Sequence, residues 1–193
     1  MAIGFEKKKV KKEQQRAEFM EKRKNMSKIE AAQKSALIQK RLSTLMEYSE
    51  ADTIMFYLSV DNEVMTDKAI SQALKLGKRV VLPVVDAENK TLIPIATDMK
   101  NLKKGAYSIP EPEGEPVNLD EIDIVVVPVV AFDDEGDRLG RGIGYYDRFL
   151  KSLHAVKVGL AYDWQQAPNI PQESHDAQMD KIVTERNVVE CRR

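Results

Sequence analysis

Residues 122–130 read IDIVVVPVV, a run in which apolar side chains would occupy both faces of an extended chain. A strand of this kind must be covered on both sides, which is typical of a mostly parallel sheet between two layers of helices. Residues 52–58 (DTIMFYL) and 79–85 (RVVLPVV) have the same character, and segments with helical patterns separate them. Right-handed crossovers then predict an α/β fold, a single three-layer α/β/α domain with a mostly parallel sheet.

The remaining elements are predicted from local signals. Residues 5–26 are polar and rich in helix formers, so they predict an exposed helix with a weak apolar face, part of a basic N-terminal segment 1–26 of the single domain 1–193. Ser27 and Glu30 form a capping box that opens a second helix. Its predicted apolar face consists of Ile38, Leu42, Leu45 and Met46. The other predictions are helices over 66–76, ending at Gly77, and over 145–153, and strands over 91–96, 156–161 and within 181–189.

Two prolines interrupt apolar strands at equivalent places, Pro83 in VVLPVV and Pro128 in VVVPVV. Proline cannot donate a ladder hydrogen bond, so strand pairing should loosen there, toward the carboxyl ends of the strands. In open α/β sheets ligands bind at those ends. The alternative is that both prolines lie on weakly paired edge strands. Residues 105–118, rich in Pro, Gly and Glu, predict a long surface loop of the kind that often borders a site.

Charge and hydropathy exclude several classes of protein. The net charge of -1 gives no general attraction to nucleic acid or anionic membrane, although Lys and Arg outnumber Glu in the first 28 residues. A single cysteine, Cys191, excludes a disulfide framework within one chain. No apolar run approaches membrane-spanning length, and no signal-peptide core is present. These features predict a cytoplasmic protein that binds neither nucleic acid nor membrane.

The string GDRLGRGIGYYDRFL, residues 136–150, follows the most apolar strand and opens a helix. Closely spaced glycines would let backbone N–H groups approach an anion, and Arg138 and Arg141 supply permanently charged forks that suit phosphate oxygens. The spacing matches neither the dinucleotide-binding nor the P-loop pattern. From the pattern alone, a phosphate-binding strand–loop–helix and a merely tight glycine turn both remain open.

The same string closely resembles the signature of the 5-formyltetrahydrofolate cyclo-ligase family, also called 5,10-methenyltetrahydrofolate synthetases. Other family-like segments are KEQQR, FYLSVDNEVMT, GKRVVLPVV, YSIPEPEG and AYDWQ, so the resemblance covers nearly the whole chain. Ile143 departs from the glycine or lysine usual at that position. The resemblance implies a NagB/RpiA/CoA-transferase-like fold and a monomer. It also implies ATP- and Mg²⁺-dependent conversion of 5-formyltetrahydrofolate into 5,10-methenyltetrahydrofolate through a phosphorylated formyl intermediate.

The resemblance also assigns site residues. Nucleotide-binding residues would be Lys12, Arg16, Arg138, Leu139, Gly140, Arg141, Gly142, Ile143, Gly144, Tyr145 and Tyr146, of which Arg141 and Tyr146 would be catalytic. Folate would be bound by Tyr57, Leu58, Glu63, Tyr107, Arg141, Gly142, Gly144 and Tyr145. Magnesium would be held by Asp147 and Asp176. Apart from the resemblance, His154 and His175 lack any metal-ligand spacing, and we expect His175 to orient Asp176. Glu63 would accept from pterin N–H donors, and Tyr107 would flank the ring system.

Structural alternatives to these roles remain open. For the arginines of the glycine string, the alternative is ion pairs with Asp134 or Asp137. For the basic pair in KEQQR, which lies at i,i+4, the alternative is an ordinary solvated face. For Asp147 it is a first-turn acid paired with Lys151, and for Tyr57 it is core packing.

Other functions also remain open. One is a sugar-phosphate isomerase or a non-catalytic phosphate-binding protein on a similar sheet. Another is a nucleic-acid or ribosome-associated module that uses the basic N-terminal helix, although the acidic remainder argues against it.

Overall fold

The computed structural model describes the backbone of residues 2–191 and the side chains of residues 10–191. The α-helices are α1 (Ala2–Lys24), α2 (Lys28–Leu42), α3 (Met46–Glu50), α4 (Asp67–Lys75) and α5 (Tyr145–Leu150). The strands are β1 (Thr53–Met55), β2 (Arg79–Asp86), β3 (Thr91–Ala96), β4 (Leu102–Lys104), β5 (Pro110–Pro112), β6 (Ile124–Pro128), β7 (Ala131–Phe132), β8 (Arg138–Leu139), β9 (Val156–Leu160), β10 (Lys181–Val183) and β11 (Val188–Glu190). Short 3-10 turns lie at Ala106–Ser108, Leu119–Glu121 and Asp163–Gln165.

A seven-stranded sheet in the order β11-β10-β9-β6-β1-β2-β3 forms the centre of the molecule. Strands β10, β9, β6, β1 and β2 run parallel to one another, and β3 and β11 are antiparallel strands at the two edges. The chain moves outward from β1 to β2 and then returns to the other side of β1 at β6. The predicted mostly parallel α/β sheet is therefore confirmed, and its strand order reverses direction between β1 and β6.

Strand β6 is buried on both faces, as its sequence predicts. Ile124 and Val126 belong to one hydrophobic cluster, which α2 and α4 cover. Val125 and Val127 point to the opposite face and join a second cluster, which α5 covers. The alternation of side chains along a strand places successive residues in different layers, so this one strand contributes to both cores of the three-layer domain.

Helix α2 begins as predicted but ends at Leu42, before the last two residues of its predicted apolar face. The Ser27 side chain accepts a hydrogen bond of 3.1 Å from the backbone N–H of Glu30. Ile38 and Leu42 are fully buried, but Met46 is 68% exposed. Placing Met46 on the apolar face was wrong, because α2 ends at Leu42 and the chain changes direction before α3.

Helix α1 forms as predicted but is not an exposed helix. Lys12 and Arg23 are buried, and Phe19 and Met20 pack against a small cluster that includes Val130. These side chains lie on one face of the helix, which therefore docks largely through charged groups. The sequence shows only a weak apolar face here because apolar periodicity does not register an inner face made of lysine and arginine.

The two prolines lie near the carboxyl ends of the parallel pairings. Pairing of β1 with β2 stops at Met55 and Val81, two residues before Pro83, which stays opposite Pro94 of β3. Pro128 is the last residue of β6. Both β2 and β6 have a neighbour on each side, so the edge-strand alternative is wrong. The loosened pairing predicted at the carboxyl ends is therefore seen between β1 and β2 and at the end of β6, whereas β2 stays paired with β3 beyond Pro83, as far as Asp86.

Candidate active site

A cavity of about 450 Å³ opens at the carboxyl ends of the parallel strands. Pro83 and Pro128 both line it, and it lies where the strand order reverses between β1 and β6. This is the position at which open α/β sheets bind ligands. The segment 105–118 borders it, as predicted, through Tyr107, Ile109 and Glu111.

The cavity wall brings together all of the residues that the sequence assigns to a site. They are Lys12, Arg16, Tyr57, Leu58, Glu63, Tyr107, Arg138, Leu139, Gly140, Arg141, Gly142, Ile143, Gly144, Tyr145, Tyr146, Asp147 and Asp176. The wall also contains residues that sequence reasoning missed, namely Glu13, Val60, Val85, Leu92, Ile109, Glu111, Val130 and Glu173. For Glu173 a signal existed, since it lies three residues before Asp176 in ESHD. The apolar members were indistinguishable from ordinary core residues.

The glycine loop 140–144 touches helix α1 closely. Gly142 and Gly144 have φ values of 95° and 79°, a left-handed conformation that suits glycine. A Cβ atom on Gly142 would lie 3.2 Å from the guanidinium carbon of Arg16. Arg16 Nε donates a 2.8 Å hydrogen bond to the carbonyl of Gly140. The glycines therefore permit both the turn and the approach of a cation, and the neighbouring Ile143 is half-exposed.

Arg138 forms an ion pair with Asp147 beneath this loop. Its Nη2 lies 2.9 Å from Asp147 Oδ1, which also accepts a bond of 3.3 Å from the N–H of Ala177. Arg138 is buried, and its Nε finds no partner among the described residues. The alternative pairings of Arg138 with Asp134 or Asp137 and of Asp147 with Lys151 are both wrong. The buried guanidinium of Arg138 thus has an N–H donor, at Nε, that could bind a further acceptor.

Arg141 also pairs with carboxylates, but at the rim of the cavity. Its Nε and Nη2 each lie 3.0 Å from Oε1 of Glu63, and its Nη1 lies 3.1 Å from Oδ2 of Asp61. Partial burial disfavours the charge of Arg141, but the two carboxylates outweigh this effect and raise its pKa. Arg141 pairs with Glu63 and Asp61, not with Asp134 or Asp137. The side chain of Arg141 remains 36% exposed, so it can be reached from the cavity.

Two carboxylates and a histidine, Glu173, Asp176 and His175, form an acidic cluster that faces Lys12. The cluster offers one ligand atom per residue, all within 4.8 Å of one another. Lys12 Nζ lies 2.9 Å from Glu173 Oε2 and also contacts Asp176 Oδ2. Lys12 is therefore buried among carboxylates, and the prediction of an ordinary solvated face is wrong for it. Asp147 lines the same cavity but does not belong to this cluster.

The orientation of Asp176 comes from the backbone, not from His175. The N–H of Glu173 donates a 2.8 Å hydrogen bond to Asp176 Oδ2. His175 Nε2 lies 3.8 Å from Asp176 Oδ1, beyond hydrogen-bonding distance, and the side chain is 62% exposed. The predicted orienting role of His175 is therefore wrong in this geometry.

Two tyrosines meet across the mouth of the cavity. The hydroxyls of Tyr107 and Tyr145 are 3.2 Å apart, and their rings lie edge to face with centroids 6.3 Å apart. Tyr107 is 62% exposed and has a φ of 55°, so the backbone there is held in a rarely used conformation. Together they present an exposed aromatic surface at the opening.

The other two tyrosines of the wall lie deeper. Tyr57 is buried and donates a 2.7 Å hydrogen bond to the carbonyl of Val64, so it packs in the core while also lining the cavity. Desolvation raises the pKa of Tyr146 well above its usual value, and the charge of Glu63 adds to that effect. The Tyr146 phenol is therefore protonated at neutral pH and can donate a hydrogen bond, but it cannot serve as a base.

The fold and the cavity define this chain as an α/β protein whose candidate ligand site lies at the switch point of a parallel sheet, beside a glycine loop and arginines that suit an anion. Comparison with known proteins makes the class specific. The model of the 5-formyltetrahydrofolate cyclo-ligase family matches residues 8–185, and the chain belongs to this family. The resemblance in the glycine string is thereby confirmed.

Named relatives agree over most of their length. A 5-formyltetrahydrofolate cyclo-ligase of Haemophilus influenzae is 33% identical over 181 residues, covering 90% of this chain and 97% of the relative. One from Escherichia coli K12 is 34% identical and covers 78% of this chain and 87% of the relative. The NMR structure of Aquifex aeolicus 5,10-methenyltetrahydrofolate synthetase has a TM-score of 0.84 at 36% identity, covering 94% of this chain and 93% of that one.

Within residues 2–191, no helix combines the length and apolar character needed to cross a membrane.

Proposed function

We propose that this enzyme uses ATP and Mg²⁺ to convert 5-formyltetrahydrofolate into 5,10-methenyltetrahydrofolate, releasing ADP and phosphate. The observation that carries the proposal is the convergence of three chemically distinct walls in one cavity. The glycine loop with its arginines suits a triphosphate, the Glu173–Asp176 cluster suits a hard cation, and the tyrosine pair suits a flat ring.

The proposed reaction has two steps. The formyl oxygen attacks the γ-phosphorus of ATP, the bond from that phosphorus to the bridging oxygen breaks, and ADP leaves. Nitrogen N10 of the folate then attacks the activated formyl carbon and loses its proton, and the carbon–oxygen bond to phosphate breaks. Such chemistry depends chiefly on positioning and on stabilising charge at the phosphoryl oxygens, so it needs fixed cations more than a protein nucleophile.

The nucleotide phosphates would lie along the glycine loop, between Arg141 and the helix α1 cations. Arg16 already contacts the loop backbone, and Lys12 reaches the same side of the cavity from one helical turn away. Arg141 is the cation best suited to the transferring phosphoryl group, because it is accessible and its present partners are carboxylates that a phosphate can replace. Tyr146 would donate its hydroxyl proton in a hydrogen bond to the same oxygens.

A magnesium ion would be held by Asp176 and Asp147, and the structure adds Glu173 as a third carboxylate beside Asp176. Glu173 and Asp176 fit the ion, because Mg²⁺ prefers carboxylate oxygens together with phosphates and water, and Asp147 lines the same cavity outside their cluster. When bound, the ion would neutralise phosphate charge and fix the orientation of the triphosphate. The protein's own contribution is to hold the carboxylates, and before the ion binds Lys12 offsets the repulsion between Glu173 and Asp176.

The folate would enter between the tyrosine pair and Glu63. Tyr107 and Tyr145 offer ring surfaces at the mouth, and Leu58 adds an apolar contact deeper in. The carboxylate of Glu63 would accept hydrogen bonds from pterin N–H groups, which suits a buried acceptor whose charge is balanced by arginine. This arrangement would direct the formyl group toward the glycine loop.

The experiment that tests the proposal mixes the protein with 5-formyltetrahydrofolate and Mg-ATP and follows the near-ultraviolet absorbance of the methenyl product. We expect a signal that disappears when ATP is left out or when Mg²⁺ is chelated, together with one ADP formed per product molecule. Turnover of a sugar phosphate without ATP would instead support the isomerase alternative. The absence of an ATP-dependent signal from 5-formyltetrahydrofolate would contradict the proposal.

We further propose that the enzyme works in the cytoplasm without nucleic acid, as its charge and hydropathy predict, and that it is a monomer. Light scattering coupled to size exclusion should then give a mass near 21.9 kDa.

A further inference from the structure

The carboxylate of Glu63 lies between two arginines from different parts of the chain. Arg141 of the glycine loop approaches its Oε1 at 3.0 Å, and Arg23 of helix α1 approaches the same oxygen at 3.8 Å. The other oxygen, Oε2, accepts a 3.2 Å hydrogen bond from the N–H of Val60. Glu63 itself is buried, so its charge depends on these partners.

The two arginines differ in how easily each could give up its contact with Glu63. Arg141 is 36% exposed and lines the cavity, whereas Arg23 is only 2% exposed and is not part of the cavity wall. Burial lowers the pKa of Arg23, and the charge of Glu63 opposes that shift. Arg23 is thus a fixed partner of Glu63, and Arg141 is one that can exchange.

The segment that carries Glu63 is also attached to the end of helix α1. The side-chain nitrogen Nδ2 of Asn62 donates hydrogen bonds of 3.2 Å to the backbone carbonyl of Arg23 and 2.8 Å to that of Met26. Asn62 has a φ of 56°, a left-handed conformation that asparagine tolerates. The backbone and the side chain of Arg23 therefore both contact this segment, which fixes Glu63 relative to α1.

We infer that Arg23 is a positioning residue for folate, which keeps the Glu63 carboxylate compensated and directed into the cavity when Arg141 turns to the nucleotide. The inference rests on the proposed function, in which Arg141 binds phosphate and Glu63 binds the pterin. Once Arg141 has left, a buried carboxylate without Arg23 would have no cationic partner, and such a charge is strongly unfavourable. Arg23 therefore matters most when nucleotide and folate are bound together.

The test measures 5-formyltetrahydrofolate affinity by calorimetry in wild type, Arg23→Met, Glu63→Gln and the double variant. Each protein is titrated with and without Mg²⁺ and a non-hydrolysable ATP analogue. We expect Arg23→Met to weaken folate binding by about tenfold with the analogue present and by clearly less without it. In the Glu63→Gln background the same change should have little further effect, because the carboxylate that Arg23 serves is gone.

Lys24→Met is the matched control, since it removes a neighbouring charge of α1 from an exposed position. It should leave folate affinity unchanged. An equal loss with and without the analogue, or an undiminished loss in the Glu63→Gln background, would mean that Arg23 only supports folding and would overturn the inference. If Arg23→Met does not fold, Arg23→Gln is measured in the same cycle. Failure of wild type to bind folate would instead contradict the proposed function.

Discussion

Each arginine or lysine of the cavity wall is bound to an oxygen atom of the protein itself. Lys12 contacts Glu173, Arg16 a backbone carbonyl, Arg138 Asp147, and Arg141 Glu63. These contacts hold long, flexible side chains in place before any substrate arrives, which lowers the entropy that binding must remove. An incoming phosphate would replace the protein oxygens as the hydrogen-bond partner of these cations. The side chains are therefore held in place in advance and can still change partners.

At this scale, Arg141→Lys tests whether geometry or charge matters. Lysine keeps the charge but cannot make the planar two-point contact of a guanidinium, so we expect kcat/KM to fall by an amount equivalent to about 1.5–3 kcal/mol. Thermal stability should change little, because the side chain is partly exposed. Steady-state kinetics and a melting curve measure the two effects. Arg79→Lys, at a surface ion pair remote from the cavity, is the control, and near-normal turnover in Arg141→Lys would show that the guanidinium is not needed.

The carboxylates can be tested separately through their dependence on Mg²⁺. Asp147→Asn, Asp176→Asn and Glu173→Gln each remove one negative charge, so each should raise the Mg²⁺ concentration required for half-maximal activity if the residue holds the ion. Folate affinity should be nearly unchanged in all three. Asp120→Asn, exposed and outside the cavity wall, is the control. An unaltered Mg²⁺ requirement in Asp147→Asn would leave it only as the partner of Arg138.

Individual site residues were predictable from sequence wherever their chemistry is local. The glycine string specifies its own turn and its arginines, and both lie where the pattern places them. The partners of those arginines were not predictable, because Glu63 and Asp147 reach them through the fold and not through sequence proximity. Glu173 could have been proposed from its place beside Asp176 in the sequence, but its contact with Lys12 could not, because the fold alone brings them together.

At the scale of elements, helix α1 carries an unusual inner face. Lys12, Arg16 and Arg23 follow one another at spacings of four and seven residues, so one face of the helix meets the acidic cluster, the glycine loop and Glu63 in turn. Amphipathicity measures only apolar contrast and cannot detect such a face. The strands of the central sheet were predicted from their apolar runs, with bounds that differ by at most three residues. The short strands β4, β5, β7 and β8 were not predicted, and β5 lies within the segment 105–118 that was expected to be a loop.

A prediction for α1 concerns its response to nucleotide. If Lys12 and Arg16 bind the triphosphate, Mg-ATP should slow amide exchange in the middle of the helix, and ADP should do so less because it lacks the γ-phosphate. Replacing both residues with alanine should raise the KM for ATP and remove this effect. It should also lower thermal stability, because loss of Lys12 leaves Glu173 and Asp176 without their shared cation. Hydrogen-exchange mass spectrometry measures the protection, and equal exchange under all conditions would contradict the nucleotide role.

For the whole molecule, the site is a consequence of strand order. The cavity lies at the carboxyl ends of β1 and β6, where the strand order reverses, and Pro83 and Pro128 line it. The parallel sheet follows from apolar runs, but the order of its strands does not, because several right-handed arrangements satisfy the same pattern. Sequence therefore indicated which end of the sheet carries the cavity, and only the structure gives the pair of strands between which the cavity lies.

The last prediction concerns how firmly α1 belongs to the rest of the domain. Trp164 is the one tryptophan of the chain. Its ring stacks on those of Phe19 in α1 and Tyr162, with centroid separations of 6.3 Å and 6.1 Å. The Nζ atom of Lys22 lies 4.7 Å from the centroid of the Trp164 ring. Its fluorescence should therefore report the docking of α1. Because this docking depends on ion pairs and a few partly buried apolar side chains, α1 should detach before the two-sided core unfolds.

In urea, the Trp164 transition should then have a lower midpoint than far-UV circular dichroism, which averages over every helix and the sheet. Saturating Mg-ATP binds only the docked form, so it should raise the fluorescence midpoint and bring the two transitions together. The Lys12→Ala, Arg16→Ala double variant should keep them apart even with Mg-ATP. Coincident midpoints in the absence of nucleotide would show that α1 is an integral part of one cooperative unit, held as strongly as the strands beneath it.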